Sequence, residues 1–261
     1  YFRHKIKENG GKGQLAEAFR QHLDPHLTTA LSLLSARGDF DLDGKTPTAY
    51  LASLAPAEQD ALKKQYKTDR QAAKAVNFGL IYGAQAPTLH AYGIASYGLA
   101  WALEDAESAV RVFFDLYPEL ALWQTWTDLR LHYKIDEKKP KIFVADYGRE
   151  EIPDNPKKIF ISSTLSGKPT ISHKLTSGLN YQDQGSGAEM ILDSIANLES
   201  PASECLVNLV HDELVFDCPE DQVELTEEQA EKAMRDAAEG LLAQHGIPID
   251  AESAVGDYWI H

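Results

Sequence analysis

Arg70-Gln71-Ala72-Ala73-Lys74-Ala75-Val76-Asn77-Phe78-Gly79-Leu80-Ile81-Tyr82-Gly83 is almost free of helix breakers, and its cationic and aromatic side chains recur every four residues. A step of four turns an α-helix by about 400°, so Arg70, Lys74, Phe78 and Tyr82 form one stripe that drifts slowly around the axis. Two cations followed by two aromatic rings suit a ligand with a phosphate tail and a planar base. Ala73, Val76, Leu80 and Ile81 fall on the opposite side and can pack inward. A lone Phe or Tyr at helical spacing is ordinarily core; the ordered set of four is what points to a ligand.

Working outward, the chain reads as mostly helical. Residues 14 to 37 repeat apolar side chains at helical spacing (Leu15, Phe19, Leu23, then Leu27, Ala30, Leu31, Leu34), with a break at Asp24-Pro25. A Gly/Asp/Pro-rich loop covers 38 to 47, and a short helix starts after Pro56. Residues 104 to 117 and 118 to 133 read as two helices meeting at Pro118, which fits a first-turn proline. Residues 134 to 175 mix Lys/Pro/Ser-rich stretches with short β-branched runs, read as loop or small β elements. Helix resumes around 184 to 198, and a last helix covers 226 to 244.

Between those two helices lie the apolar runs Cys205 to Val210 and Glu213 to Cys218, a hairpin turning at His211-Asp212. With those two residues central, Val210 faces Glu213 and Cys205 faces Cys218. Strands apolar on both faces are expected to be buried. Asp is favoured in turns for its own sake, yet an Asp-Glu pair on a rigid hairpin also mounts a hard, oxygen-seeking Mg²⁺. The two cysteines read as cross-strand packing.

Composition sets the limits. The 261 residues carry 25 Lys+Arg against 40 Asp+Glu, a net charge of -15. Residues 199 to 261 hold two basic residues against sixteen acidic ones, so the rest of the chain is nearly neutral. A wholly basic surface for a polyanion is excluded, but local clusters such as Lys63, Lys64, Lys67, Arg70 and Lys74 can still meet phosphates, because contact charge governs that binding. No apolar run approaches the length of a membrane helix, so no membrane partner is expected. Two cysteines in 261 residues argue against a secreted disulfide scaffold and for an intracellular, cytoplasmic location.

In order along the chain, these residues resemble the family A DNA polymerases, the DNA polymerase I group. Arg70-xxx-Lys74-xxx-Phe78-xxx-Tyr82-Gly83 is similar to the family's fingers helix, and Leu209-Val210-His211-Asp212-Glu213 to its last palm motif. Asp24-Pro25-His26-Leu27-Thr28-Thr29-Ala30 resembles the Asp-x-His-Thr segment that precedes the fingers helix. Asn180-Tyr181-Gln182-Asp183-Gln184-Gly185-Ser186-Gly187-Ala188-Glu189 resembles the segment that usually ends Gln-Gly-Thr-Ala-Ala-Asp.

The resemblance implies an α+β, mainly helical fold: a right-hand fingers subdomain over 14–173, atypical over 134–173, then the later part of the palm over 174–261 with an antiparallel β-hairpin. It implies template-directed transfer of a deoxynucleotide from a dNTP to a primer 3′-hydroxyl, in a nucleoid-associated setting. His26, Arg70 and Lys74 would hold the triphosphate, Phe78 would stack on the incoming nucleotide, and Tyr82 would sit near the templating base. Asn180, Gln184 and His211 would contact primer-template DNA. Asp212 would bind catalytic Mg²⁺, one of two such ions, with Glu213 beside them; Asp212, Glu213 and Lys74 are thus the catalytic candidates.

Two departures stand out. The family's Gly-Arg-x-Arg element is present only as Tyr147-Gly148-Arg149-Glu150. The family's other metal-binding Asp lies in a motif upstream of Tyr1-Phe2-Arg3-His4-Lys5, so residues 1–13 read as a remnant following it. That Asp and the thumb are expected on an upstream segment or a second polypeptide. The rival readings are a non-catalytic module that binds nucleotide or primer-template DNA without turnover, and an RNA-copying or template-independent transferase on the same fold.

Overall fold

The computed structural model describes residues 12–130, 160–172, 174–243 and 246–259. The expectations for residues 1–11 and for Tyr147-Gly148-Arg149-Glu150 lie outside them. The fold is mainly helical α+β, with two small two-stranded antiparallel sheets among the described residues. The chain divides into two compact units: the described residues of Tyr1–Ser162 and Ile171–Leu179, and those of Ser163–Thr170 and Asn180–His261.

The first unit is a helical assembly whose ends are written locally. Helix α1 spans Gln14–Arg20 and α2 spans Pro25–Arg37, separated at Asp24-Pro25 as the spacing predicts. Asp24 caps α2 through Oδ1, which accepts from the backbone N–H groups of His26 and Leu27 at 2.9 Å each. Pro25 occupies the first turn, where a missing N–H costs nothing. Gly38, at φ 81°, closes the other end. Helix α3, Pro47–Ala52, starts at the last residue of the stretch read as a loop and was not expected; Thr46 caps it by accepting from Ala49 N–H at 3.2 Å. Helices α4 (Pro56–Gln65), α5 (Lys67–Ile81), α6 (Ala86–Tyr97), α7 (Leu103–Leu116) and α8 (Pro118–Arg130) follow.

Two apolar clusters hold this unit together. One joins α2, α5, α6 and α7 through Leu33, Val76, Leu80, Leu89, Phe113 and Tyr117. The other gathers Ala18, Leu23, Leu27, Leu31 and Leu51, with the rings of Phe40, Tyr50 and Tyr66 against it. Each fully buried Leu or Phe contributes about 1.5 to 3 kcal/mol of transfer free energy, so α5 is anchored along its whole inner side.

In the chain's later part, β1 (Phe160–Ser163) and β2 (Pro169–Ser172) pair, and α9 runs over Leu175–Ala196. Within the second unit, the residues of α9 from Asn180 onward carry the turn between β1 and β2. Glu189, a buried carboxylate, accepts from Thr164 Oγ1 at 2.9 Å and Ser166 Oγ at 2.6 Å, and pairs with Lys168 Nζ at 3.3 Å. The Ser166 hydroxyl, with Thr164 and Lys168, holds the Glu189 carboxyl below the usual carboxylate range against the effect of burial. A short α10 (Ala202–Cys205) leads into β3 (Leu206–Val210) and β4 (Glu213–Phe216), and α11 (Val223–Leu242) packs an alanine stripe, Ala230, Ala233 and Ala237, inward. Among the described residues no helix is long and apolar enough to cross a membrane.

The hairpin corrects two expectations. Its tip has the predicted register, Val210 opposite Glu213, but a bulge between Leu206 and Asn208 shifts the pairing by one. Asp217 N–H therefore donates to Cys205 O at 2.8 Å, which sets Asp217 rather than Cys218 opposite Cys205 in the ladder, although the two cysteine side chains still interact. The strands are also not buried: Val207 is 61% and Leu209 42% exposed. Apolar residues on both faces specify a covered strand, but they do not supply the cover.

Candidate nucleotide stripe and carboxylate hairpin

Helix α5 presents Arg70, Lys74 and Phe78 along one side while Ala73, Val76 and Leu80 are fully buried on the other. Phe78 is 44% exposed, an unusual placement for a Phe flanked by a buried Asn77 and, two residues on, Leu80. Tyr82 stands one residue beyond the helix, at its C-cap. Gly83 follows at φ 82°, with its N–H on Leu80 O at 3.1 Å and the N–H of Ala84 on Gly79 O at 3.0 Å. That pair of bonds closes the helix by a left-handed glycine. Gln124, from α8, donates its amide to Leu80 O at 2.5 Å and Ile81 O at 3.1 Å, so the end of the stripe is held from outside as well.

His26 joins the stripe from the first turn of α2. Its ring lies 5.5 Å from the Phe78 ring at 56°, and its Nδ1 is 2.9 Å from Asn77 Nδ2. Asp24, already the α2 cap, uses its second oxygen to accept from Arg70 Nε at 2.7 Å. One carboxylate thus fixes both the helix start bearing His26 and the guanidinium of α5, leaving the outer Arg70 nitrogens for another acceptor. Lys74 is half-buried and has no ion-pair partner among the described residues. The structure therefore brings His26, Arg70 and Phe78 together, with Lys74 near enough to act on the His26 charge.

Burial, reinforced by the cations of Arg70 and Lys74, pulls the His26 pKa down despite the opposing pull of Asp24, so the ring is neutral near pH 7. Burial opposes ionisation of Asp24, but the Leu27 N–H and Arg70 outweigh it and hold that carboxyl below its ordinary value. Asp24, Asn77 and Gln124 had no assigned part in the sequence reading. The signals were there for two: Asp before Pro at a helix start is a cap pattern, and Asn77 interrupts an otherwise apolar inner face.

In the second unit, Asn180 and Gln184 lie one helical step of four apart on α9, both exposed. The sequence placed that helix start near 184, after Asn180; its actual start at Leu175 puts the two amides on one face. At the hairpin tip His211 adopts φ 56°, a left-handed conformation that costs a non-glycine residue about 1 kcal/mol. Asp212 is exposed and has no partner among the described residues. Glu213 accepts from Trp259 Nε1 at 3.3 Å.

Asp212 and Glu213 are hard oxygen donors of the kind Mg²⁺ prefers, but the described residues include no group of three or more possible ligands. Two carboxylates, one of them occupied by an indole N–H, do not by themselves make a metal site. Any ion here needs ligands beyond those described.

The family comparison places this mainly helical α+β chain with the DNA polymerases. The family model described as DNA polymerase family A matches residues 52–261, and the chain is a member of that family. It is 29% identical over 221 residues to DNA polymerase I of Aquifex aeolicus, a match covering 83% of this chain and 34% of that protein. It is 27% identical over 256 residues to DNA polymerase I of Lactococcus lactis subsp. cremoris, covering 94% and 23%. DNA polymerase theta of Caenorhabditis elegans is 27% identical over 225 residues, covering 80% and 12%. The chain thus spans about a third or less of the length of these relatives.

Proposed function

We propose that this chain serves template-directed DNA synthesis, its first unit working as polymerase fingers and its second as the later part of the palm. The observation that carries this reading is the cluster of His26, Arg70, Lys74 and Phe78. Two cations and a neutral imidazole suit the triphosphate of a dNTP, and a half-exposed Phe offers a face on which a base or sugar can rest. Tyr82 lies next along the chain, toward the templating base. Asn180, Gln184 and His211 supply polar groups for primer-template DNA.

Asp212 is one carboxylate of a Mg²⁺ pair, with Glu213 beside it. The ligands that would complete such a site are not among the described residues. Phosphoryl transfer of this kind rests on positioning and on cations that meet the negative charge of the triphosphate, and that is the part Arg70 and Lys74 play.

The test is nucleotide binding set against duplex binding. Lys74→Ala is expected to weaken dNTP binding about tenfold or more, the size of a lost charged hydrogen bond, while primer-template affinity stays within about twofold. Equal loss of both would remove Lys74 from the triphosphate. Full dNTP and duplex binding without primer extension, even after the upstream segment is supplied, would favour a non-catalytic module instead.

A further inference from the structure

Asn77 is buried, at 3% relative exposure, on a helix face otherwise made of Ala73, Val76 and Leu80. Its Nδ2 lies 3.3 Å from Pro25 O and 2.9 Å from His26 Nδ1, while its Oδ1 is buried with no hydrogen-bond partner. A backbone carbonyl only accepts, so the Asn77 atom facing Pro25 O is the NH₂ group. The reversed amide would set oxygen against oxygen. Pro25 O is itself fixed, since it also accepts from Thr29 Oγ1 at 3.0 Å and from the buried Tyr117 hydroxyl at 3.4 Å.

With the amide so oriented, its second N–H is directed to His26 Nδ1, and that nitrogen must hold a lone pair. The neutral imidazole then carries its proton on Nε2. Protonating Nδ1 would oppose two N–H groups across 2.9 Å. The charged groups that act on His26, Asp24 on its own helix with Arg70 and Lys74 on α5, together with burial, leave the ring neutral. An unpaired buried carbonyl is costly, and it is tolerated where the opposite end of the amide is doubly used.

We infer that Asn77 is a positioning residue that locks His26 in the Nε2–H tautomer, so that a neutral N–H donor is held ready for a triphosphate oxygen. Nε2 has no partner among the described residues. The arrangement gives the site one donor that needs no counter-charge and is not displaced by the cations beside it. This inference rests on the reading that His26 faces the nucleotide.

The experiment is long-range ¹H–¹⁵N NMR of the histidine-labelled chain, with the His26 signals assigned by their loss in His26→Gln. In the wild-type chain Nδ1 should show as the unprotonated ring nitrogen and Nε2 as the protonated one at pH 7.5. Asn77→Asp replaces the donor by an acceptor and should move the proton to Nδ1, raising the His26 titration point by more than one pH unit. Asn77→Ala, which adds no buried charge, should give mixed tautomers and bind dATP about fivefold to tenfold more weakly, the loss of one neutral hydrogen bond. A wild-type ring protonated on Nδ1, or tautomers unchanged in Asn77→Ala, would overturn the inference. The expected tautomer with no response of the His26 signals to dATP, and no loss of dATP affinity in His26→Gln, would instead overturn the nucleotide reading on which the positioning role rests.

Discussion

Asp24 separates two contributions that share one side chain. Its Oδ1 caps α2 by accepting from His26 and Leu27 N–H, and its Oδ2 accepts from Arg70 Nε at 2.7 Å. Losing a cap costs ~1 kcal/mol. A hydrogen bond between ionised groups contributes about 1.5 to 3 kcal/mol, and the lower end applies here because Arg70 keeps 29% of its side chain in water. Asp24→Ala should therefore cost about 2.5 kcal/mol, and Asp24→Asn, which keeps a capping oxygen, only about 1.5 kcal/mol. Urea unfolding followed by far-ultraviolet circular dichroism at pH 7 would measure both.

The pH dependence has a definite sign. The folded carboxyl titrates below its ordinary value of 3.8, so its stabilisation is present above pH 3.8 and is lost as pH falls through the folded value. The gap between wild-type and Asp24→Asn should close over that interval and nowhere above it. If Asp24→Asn is as damaging as Asp24→Ala, the cap contributes nothing. If it equals wild-type, the Arg70 pair contributes nothing, and the claim that one carboxylate orders both helices is refuted.

Gly83→Ala should destabilise the first unit by about 2 kcal/mol in the same urea assay. A left-handed residue with a Cβ costs about 1 to 2 kcal/mol, and that Cβ would stand 3.0 Å from Leu179 Cδ1; an unchanged midpoint would contradict the αL closure of α5. Glu119 accepts from Leu15 N–H at 2.8 Å, and burial raises its pKa above the ordinary 4.5. Its stabilisation is therefore full below pH 4.5 and is lost as pH rises through the folded value, and Glu119→Gln, followed by thermal melts from pH 4 to 7, should show a flatter profile. Asp212→Ala should abolish primer extension by the assembled polymerase, and retained extension would remove Asp212 from the metal.

What the sequence made legible was local, and what it hid depended on neighbours distant along the chain. The break at Asp24-Pro25 could be read because cap and first-turn proline are adjacent residues. The stripe on α5 could be read because α5 has one buried side and one open side. Helix α6, Ala86–Tyr97, escaped because Pro87 and Gly93 look like breakers, although Gly93 is a close-packing position where a Cβ would meet Leu99 Cδ1 at 3.2 Å. The early start of α9 was hidden by Gly178, within its first turn, whereas Gly185 and Gly187 fall in the part already expected to be helical. Gly185 is there because a Cβ would stand 3.0 Å from Thr164 Cγ2, a residue 21 positions away. The same Cβ would stand 3.2 Å from Tyr181 Cε2 on the preceding turn, so a local and a distant neighbour impose the demand together.

The same contrast bears on the chemistry. His26 and Arg70 are fixed several times over, by a doubly used carboxylate, a buried amide and a ring contact, so substitutions there should report on ligand affinity directly. Asp212 sits on a two-stranded hairpin whose apolar Val207 and Leu209 face solvent, and a two-stranded ribbon without a covered face is only marginally stable in water. A carboxylate on such a mount gains a defined position only when further structure covers the strands. The stripe on α5 can therefore be tested by ligand affinity directly, whereas Asp212 is best judged where further metal ligands and a cover for the strands are both present. If adding that structure slows amide exchange across β3 and β4 and creates Mg²⁺-dependent turnover together, one event has completed both the sheet and the site. Turnover without protection of the hairpin would separate them.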